Sequence, residues 1–165
     1  MGYIFRKPKE YDFKVYGLDF GYSTDPVAMV EVLKNGNNLY ITEMIYETGL
    51  TNPMIADKIK KLCSDLSGVY VVVDSAEPKS RDELILSGIP AIACVKGADS
   101  VRHGINKLKS FKLHLNKKSL NLQSEFHSYR YAKNRDGSLL ANPIDKDNHL
   151  MDAARYAITR FKIWV

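Results

Sequence analysis

The chain has 165 residues, 45% of them hydrophobic, which is enough for one buried core and too few for two independent domains. It contains no apolar run long enough for a signal peptide or a transmembrane helix, so we expect a soluble intracellular protein. The formal net charge of +5 is too small to indicate a polyanionic partner by itself.

The N-terminal part predicts a linker followed by three antiparallel strands. Residues 1–11 are polar and irregular, which indicates a linker remnant and leaves residues 12–165 as the folded domain. Alternating or β-branched patterns predict strands at residues 14–22, 27–33 and 39–47. The Asn-Gly-Asn-Asn cluster at residues 35–38 predicts a hairpin between the second strand and the third.

The middle of the chain alternates helices and strands. Apolar residues at helical spacing predict a first helix from Thr51 to Leu66, with Thr51 as its cap. The run at residues 69–74 (VYVVVD) is typical of a strand that is covered on both faces. A short helix at residues 80–86 and a strand at residues 91–95 follow. The buried positions in this region include Cys63 and Cys94, which lack the spacing of a disulfide or a zinc site.

The C-terminal part predicts three more helices. Two of them, at residues 100–111 and 119–129, flank a short strand at residues 112–115, and a turn follows at residues 135–138. The last helix begins near Asp147 and has one apolar stripe, formed by Leu150, Ala153, Ala154, Ala157, Ile158 and Phe161. This order predicts an α/β fold of the ribonuclease H-like type, with a mixed sheet of five or more strands and helices on both faces.

Three aspartates fall where this architecture brings residues together. Asp19 lies in the first strand, Asp74 ends the buried strand, and Asp152 lies early in the last helix. Clustered carboxylates repel one another unless a cation neutralises them, and hard oxygen ligands select Mg²⁺ or Mn²⁺. Two such ions about 4 Å apart are able to promote hydrolysis of a phosphodiester.

Each of these residues also has a purely structural interpretation. Aspartates at strand ends are common in turns, and both Asp152 and His149 are compatible with solvated helix positions. Asp147 is more typical of a helix cap than of a ligand. Only the combination of Asp19, Asp74 and Asp152, with His149 one helical turn before the third aspartate, indicates catalysis.

The positive charge is concentrated in residues 96–118, which contain seven Lys or Arg residues against one Asp. Arg102, Lys107 and Lys109 lie on a predicted helix in this block and are the candidates for contacts with DNA phosphates. A solvated helix face with no partner is the alternative interpretation of the same charges.

Several motifs together resemble the nuclease domain of phage large terminase subunits. They are GLDFG at residues 17–21, VDSAEPKS at residues 73–80, Lys96-Gly97, Ser100-Val101-Arg102 and HLMDAARY at residues 149–156. The second and the last of these are long enough to be distinctive. Ala154 stands where a larger apolar residue is typical, which affects packing and not chemistry.

The resemblance implies an endonuclease that cuts concatemeric viral DNA during packaging in the host cytoplasm. It implies Asp19, Asp74 and Asp152 as metal ligands with His149 beside them, and double-stranded DNA, a terminase ATPase domain, a small terminase subunit and a portal as partners. The chain has no phosphate-binding loop of the form Gly-x-x-x-x-Gly-Lys-Ser/Thr, so the ATPase motor is not expected in this segment.

Other functions stay open on the sequence. A junction resolvase or a transposase core has the same fold type and uses a similar carboxylate set. A non-catalytic DNA-binding module is a different class, which predicts binding without metal-dependent cleavage. Residues 19–24 (DFGYST) faintly resemble the phosphate-binding turn of actin-like ATPases, but that fold needs a second, similar domain.

Overall fold

The computed structural model describes residues 8–21, 23–97, 100–131, 136 and 148–161. The first seven residues of the expected linker, most of the turn expected at residues 135–138 and the expected helix start near Asp147 lie outside these ranges. Within the ranges, no helix is long and apolar enough to cross a membrane.

Six strands of the described chain form one mixed sheet: β1 (Phe13–Asp19), β2 (Val27–Asn35), β3 (Asn38–Glu47), β4 (Val71–Val73), β5 (Ala91–Ala93) and β6 (Lys112–Leu115). Their order across the sheet is β5-β4-β1-β2-β3-β6. The strands β1, β2 and β3 are antiparallel neighbours, whereas β4 is parallel to β1, β5 to β4 and β6 to β3. The prediction of a mixed sheet with at least five strands is therefore confirmed.

The predicted hairpin joins β2 to β3, with Asn35 paired to Asn38 and Gly36 in the left-handed region at φ 57°. The Gly36 N–H donates a hydrogen bond to Asp12 Oδ2 at 2.8 Å. The Asn35 side-chain amide donates to the Glu10 carbonyl at 3.2 Å. The chain just before β1 is therefore tied to the hairpin.

Helices cover both faces of the sheet, as predicted: α1 (Asn52–Leu62), α2 (Pro78–Leu86), α3 (Ser100–Lys109), α4 (Leu120–Tyr131) and α5 (His149–Ile158). The helix α1 begins at Asn52 because the Thr51 hydroxyl accepts the Met54 N–H. One core cluster contains apolar residues of α1 and α2, and the other contains those of α3, α4 and α5. The sheet lies between them.

The helix α5 lies directly on β1 because β1 contains a glycine at the crossing point. A Cβ atom on Gly17 would stand only 1.8 Å from the Ala153 carbonyl oxygen, so any side chain there would push the helix away. The buried stripe of α5 includes Leu150, Ala153 and Ala157. This close approach brings the polar residues of α5 to the end of β1.

Candidate active site

Asp19 and Asp74 leave neighbouring strands at the same end of the sheet. Asp19 is the last residue of β1, and Asp74 directly follows β4. Leu18 pairs with Val73 in the parallel register of the two strands, so the next residue of each strand stands side by side. The side chains of Asp19 and Asp74 are 18% and 22% exposed. The sequence-based expectation that these two carboxylates lie close together agrees with this placement.

The Asp19 carboxylate lies in a partly buried environment. Burial raises its pKa, against the opposing effects of a hydrogen bond from the Gly21 N–H and of the His149 imidazole, while the negative charge of Asp74 raises it further. The Gly21 N–H reaches Oδ1 at 3.2 Å, and His149 Nδ1 lies 3.5 Å from Oδ2. Ionised Asp19 thus raises the free energy of the metal-free protein, and a nearby cation would stabilise the ionised form.

The Asp74 carboxylate has three donors. The Lys96 ammonium lies 2.5 Å from Oδ1, the Ala76 N–H donates to Oδ1 at 2.9 Å, and the Tyr156 hydroxyl donates to Oδ2 at 3.3 Å. Burial alone would raise the pKa of Asp74, but the hydrogen bonds from Ala76, Lys96 and Tyr156 lower it overall. Asp74 therefore stays ionised, and Lys96 balances its charge.

The Tyr156 hydroxyl, which contacts Asp74, is influenced by the negative charges of three aspartates. Its pKa is raised first by burial and then by the negative charges of Asp19, Asp152 and Asp74. Asp152 itself accepts a hydrogen bond from Arg155 Nη2 at 3.1 Å. Asp152 thus lies one helical turn before Tyr156 on α5, with one carboxylate oxygen oriented by Arg155 of the same helix.

His149 lies between two carboxylates. Its Nδ1 is 3.5 Å from Asp19 Oδ2, and its Nε2 is 3.7 Å from Asp25 Oδ1. Its side chain is only 14% exposed, so the alternative of a solvated helix histidine does not apply. Asp25 reaches it from the loop after β1, where Gly21 has φ 67° and a Cβ atom would lie 2.6 Å from the Pro26 carbonyl oxygen.

The predicted DNA-contacting residues of α3 divide into two kinds. Arg102 and Lys109 are exposed. Lys107 is partly buried: its ammonium donates to the Ile158 carbonyl at 2.9 Å and lies 5.5 Å from the centre of the Phe161 ring. Lys107 therefore also stabilises the C-terminal end of α5, where unsatisfied carbonyl groups favour a cation.

A groove of about 480 Å³ runs between α3 and the C-terminal end of α5. Its lining includes Lys96, Ser100, His103, Lys107 and Thr159. Because Lys96 also contacts Asp74, the groove opens beside the carboxylates. Cationic side chains on its wall suit an anionic ligand.

The donor set at the strand ends is compatible with Mg²⁺ or Mn²⁺. Asp19 and Asp74 offer the carboxylate oxygens that these hard cations prefer; Asp74 is ion-paired with Lys96, and the His149 imidazole lies beside Asp19. Among the described residues, no three His, Cys, Asp or Glu side chains are grouped closely enough to enclose a cation as they stand. A metal on Asp74 would therefore compete with the Lys96 ammonium.

Three residues of the site were not predicted as functional: Tyr156, Asp25 and Glu125. Lys96 was predicted only as part of the basic block at residues 96–118 and of the Lys96-Gly97 motif. Tyr156 follows Asp152 by four residues on a helix, a spacing that places both on one side and was available in the sequence. Asp25 and Lys96 lie in loops, and Glu125 lies on another helix, so no local pattern in the sequence connects them to the site.

Glu125 caps the helix that carries the site. Its Oε1 accepts the N–H groups of Leu150 and Met151 at 2.9 and 3.0 Å, in the first turn of α5. Its side chain is buried, and within the described residues no hydrogen-bond donor reaches Oε2. Burial raises the pKa of Glu125 to about 8 against the effect of these two N–H groups, with a further contribution from the negative charges of Asp152 and Glu43.

We expect Glu125→Gln to flatten the pH dependence of stability in EDTA. The folded protein keeps the Glu125 proton up to about pH 8, whereas the unfolded chain loses it near the ordinary value of 4.5, so wild-type stability falls as the pH rises between these values. The loss across this range amounts to about 5 kcal/mol. Urea unfolding at pH 5 to 9 measures it.

The exposed Glu10 provides the control, since Glu10→Gln removes a carboxyl that is not buried. The difference in unfolding free energy between wild type and Glu125→Gln should grow with pH up to about 8 and then stay constant. A Glu125→Gln curve parallel to that of wild type would show that Glu125 is not the group responsible.

Comparisons with known proteins identify the family to which the chain belongs. A protein-family model for the terminase RNAseH-like domain matches residues 19–160. The large terminase subunit of Bacillus phage SPP1 is 34% identical over 87% of this chain and 35% of its own length. The PBSX phage terminase large subunit of Bacillus subtilis is 26% identical over 89% of this chain and 34% of its own length.

A solved structure extends the likeness to the fold. The nuclease domain of the SPP1 large terminase, crystallised with bound Mn, has a TM-score of 0.80 and 32% identity, covering 91% of this chain and 87% of that one. The present chain spans about a third of the length of the curated relatives it matches. The predicted ribonuclease H-like fold is confirmed, and the chain belongs to the family of terminase ribonuclease H-like domains.

Proposed function

We propose that this chain is a metal-dependent DNA endonuclease that cuts concatemeric viral DNA during genome packaging. The observation that carries the proposal is the placement of Asp19 and Asp74 at adjacent strand ends, with His149 of α5 beside Asp19. The SPP1 nuclease domain, which was crystallised with bound Mn, supports it.

In this proposal Asp19, Asp74 and Asp152 hold Mg²⁺ or Mn²⁺, and the full reaction uses two ions. Such ions stabilise the negative charge on the attacking and leaving oxygens of a phosphodiester. The chain's own residues orient the ligands: the Tyr156 hydroxyl fixes one oxygen of Asp74, and Arg155 fixes one oxygen of Asp152. Asp19 is held by the Gly21 N–H.

His149 is proposed to act next to these carboxylates. With one ring nitrogen toward Asp19 and the other toward Asp25, its imidazole has a fixed orientation. Such a histidine orients a metal ligand or moves a proton, and both roles raise the rate without contributing to DNA affinity.

Arg102 and Lys109 are proposed to contact DNA phosphates. Neutralising both residues by Arg102→Ala and Lys109→Ala should weaken binding to all duplex sequences alike, because phosphates carry no sequence information. The slope of log affinity against log salt concentration should fall by about 2, since each phosphate contact releases about one counterion. Fluorescence anisotropy over a range of salt concentrations measures the slope.

The control for this prediction is a second double variant, Lys60→Ala with Lys61→Ala. It removes the same charge from exposed positions of α1, on the opposite face of the sheet. Equal slopes for both double variants would show that Arg102 and Lys109 belong to a solvated helix face and do not contact DNA phosphates. Lys107 is tested separately, because its substitution also disturbs α5.

A competition assay between DNA substrates tests the proposed function. With Mn²⁺, the chain should cut ordinary duplex DNA at least as well as a four-way junction. A strong preference for the junction would indicate a resolvase instead. Tight binding with no metal-dependent cleavage of either substrate would indicate a non-catalytic DNA-binding module.

The remaining parts of the proposal concern the longer protein. By relation to the large terminase subunits, we propose a terminase ATPase domain, a small terminase subunit and a portal as partners, and the host cytoplasm as the place of action. Residues 12–165 form the nuclease domain in this proposal, and residues 1–11 are the linker next to it.

A further inference from the structure

The ion pair between Lys96 and Asp74 is the tightest contact of the Asp74 carboxylate. Lys96 Nζ lies 2.5 Å from Asp74 Oδ1, and the Lys96 side chain is 40% exposed. Lys96 stands between β5 and α3, on a segment without regular structure. Its positive charge therefore neutralises a carboxylate that the proposed metal site requires.

The same lysine has a second environment within reach. Lys96 lines the groove beside α3, together with Ser100 and His103. A lysine side chain has a flexible four-carbon stem, so its ammonium moves between two positions without a change in the backbone. A divalent cation on Asp74 would repel the ammonium and favour the groove.

We propose that Lys96 is an internal counter-ion of Asp74, which a divalent cation displaces into the groove, where the ammonium contacts a phosphate of the DNA backbone. The inference rests on the proposed nuclease function. It makes Lys96 a competitor of the metal in the free protein and a DNA contact in the metal-loaded protein. Metal binding and DNA binding are thereby linked through one side chain.

Calorimetric titration of the full chain with Mn²⁺, in the absence of DNA, tests the competition. Lys96→Gln should bind Mn²⁺ about five- to tenfold more tightly than wild type, because a positive charge no longer occupies Asp74. Lys58→Gln is the matched control, since Lys58 Nζ lies 2.7 Å from Glu47 Oε2 with a side chain 41% exposed. Its Mn²⁺ affinity should equal that of wild type.

Lysine acylation followed by mass spectrometry tests the displacement in the wild-type protein. Lys96 should react slowly without metal, because its ammonium is ion-paired with Asp74, and faster once Mn²⁺ is added. Adding duplex DNA to the Mn²⁺-loaded protein should slow the reaction again. Lys58 should react at the same rate under all three conditions.

The outcomes separate this inference from the function on which it rests. If wild type binds Mn²⁺, but Lys96→Gln binds it no more tightly and Mn²⁺ leaves Lys96 labelling unchanged, the counter-ion role is wrong and the nuclease proposal stands. If wild type does not bind Mn²⁺ at all, the proposed metal site fails and the role of Lys96 fails with it.

Discussion

Replacing Asp19, Asp74 or Asp152 by alanine should lower plasmid cleavage by about a thousandfold or more in each case. Each substitution removes a carboxylate that the proposed metal site requires, and a metal ion contributes several kcal/mol to stabilising a phosphodiester transition state, of which about 4 kcal/mol corresponds to that factor. Conversion of supercoiled plasmid to open and linear forms, timed in Mn²⁺, measures the loss. Full activity of any one variant would show that the replaced residue is not part of the catalytic site.

Melting temperatures in EDTA control for unfolding, and the structure predicts opposite signs for two neutral variants. Asp19→Asn should stabilise the metal-free protein, because burial makes the charged form of Asp19 costly. Asp74→Asn should destabilise it, because the ion pair with Lys96 is lost. The sequence alone indicated only repulsion between carboxylates, and repulsion predicts that both variants stabilise the metal-free protein. Because Asp74 is ion-paired with Lys96 in the structure, we expect a loss of stability for Asp74→Asn instead.

His149→Ala should lower cleavage by about a hundredfold, with little change in DNA affinity. The imidazole lies between Asp19 and Asp25, so its loss removes either a proton-transfer group or the orientation of a proposed metal ligand. Neither role involves DNA phosphates, and the backbone of α5 remains capped by Glu125. Cleavage rates in both Mg²⁺ and Mn²⁺, with anisotropy for DNA affinity, separate the two quantities.

His127→Ala provides the comparison, because His127 is an exposed histidine of α4. It should cleave at the wild-type rate, as exposed helix positions usually change stability by less than about 0.5 kcal/mol. Near wild-type cleavage by His149→Ala in both metals would exclude a catalytic or orienting role for His149.

The strands and helices near the site were predictable because local patterns determine them. The β-branched run before Asp74 is typical of a covered strand, and the Asn35-Gly36 turn predicted the first hairpin. The parallel pairing of β1 with β4 then placed Asp19 and Asp74 together. Gly17 had no visible role in the sequence, yet it allows α5 to approach β1 closely enough to deliver His149.

The electrostatic partners were not predictable because they come from distant segments. The contact between Lys96 and Asp74 joins residues that are 22 positions apart, and the cap of α5 by Glu125 joins two helices. Lys107 shows a related case: its charge suggested a DNA contact or a solvated helix face, whereas its ammonium donates to the Ile158 carbonyl at the end of α5. Charge in a sequence indicates what a residue can bind, and the fold determines which partner is in reach.

Cleavage of supercoiled plasmid by the purified chain, with Mn²⁺, Mg²⁺ or EDTA, tests the central claim most directly. A metal-dependent endonuclease should convert the plasmid to open and linear forms with Mn²⁺ or Mg²⁺ and leave it intact in EDTA. Asp19→Ala should leave it intact under all three conditions. Cleavage that persists in EDTA, or no cleavage with either metal by a correctly folded chain, would contradict the account.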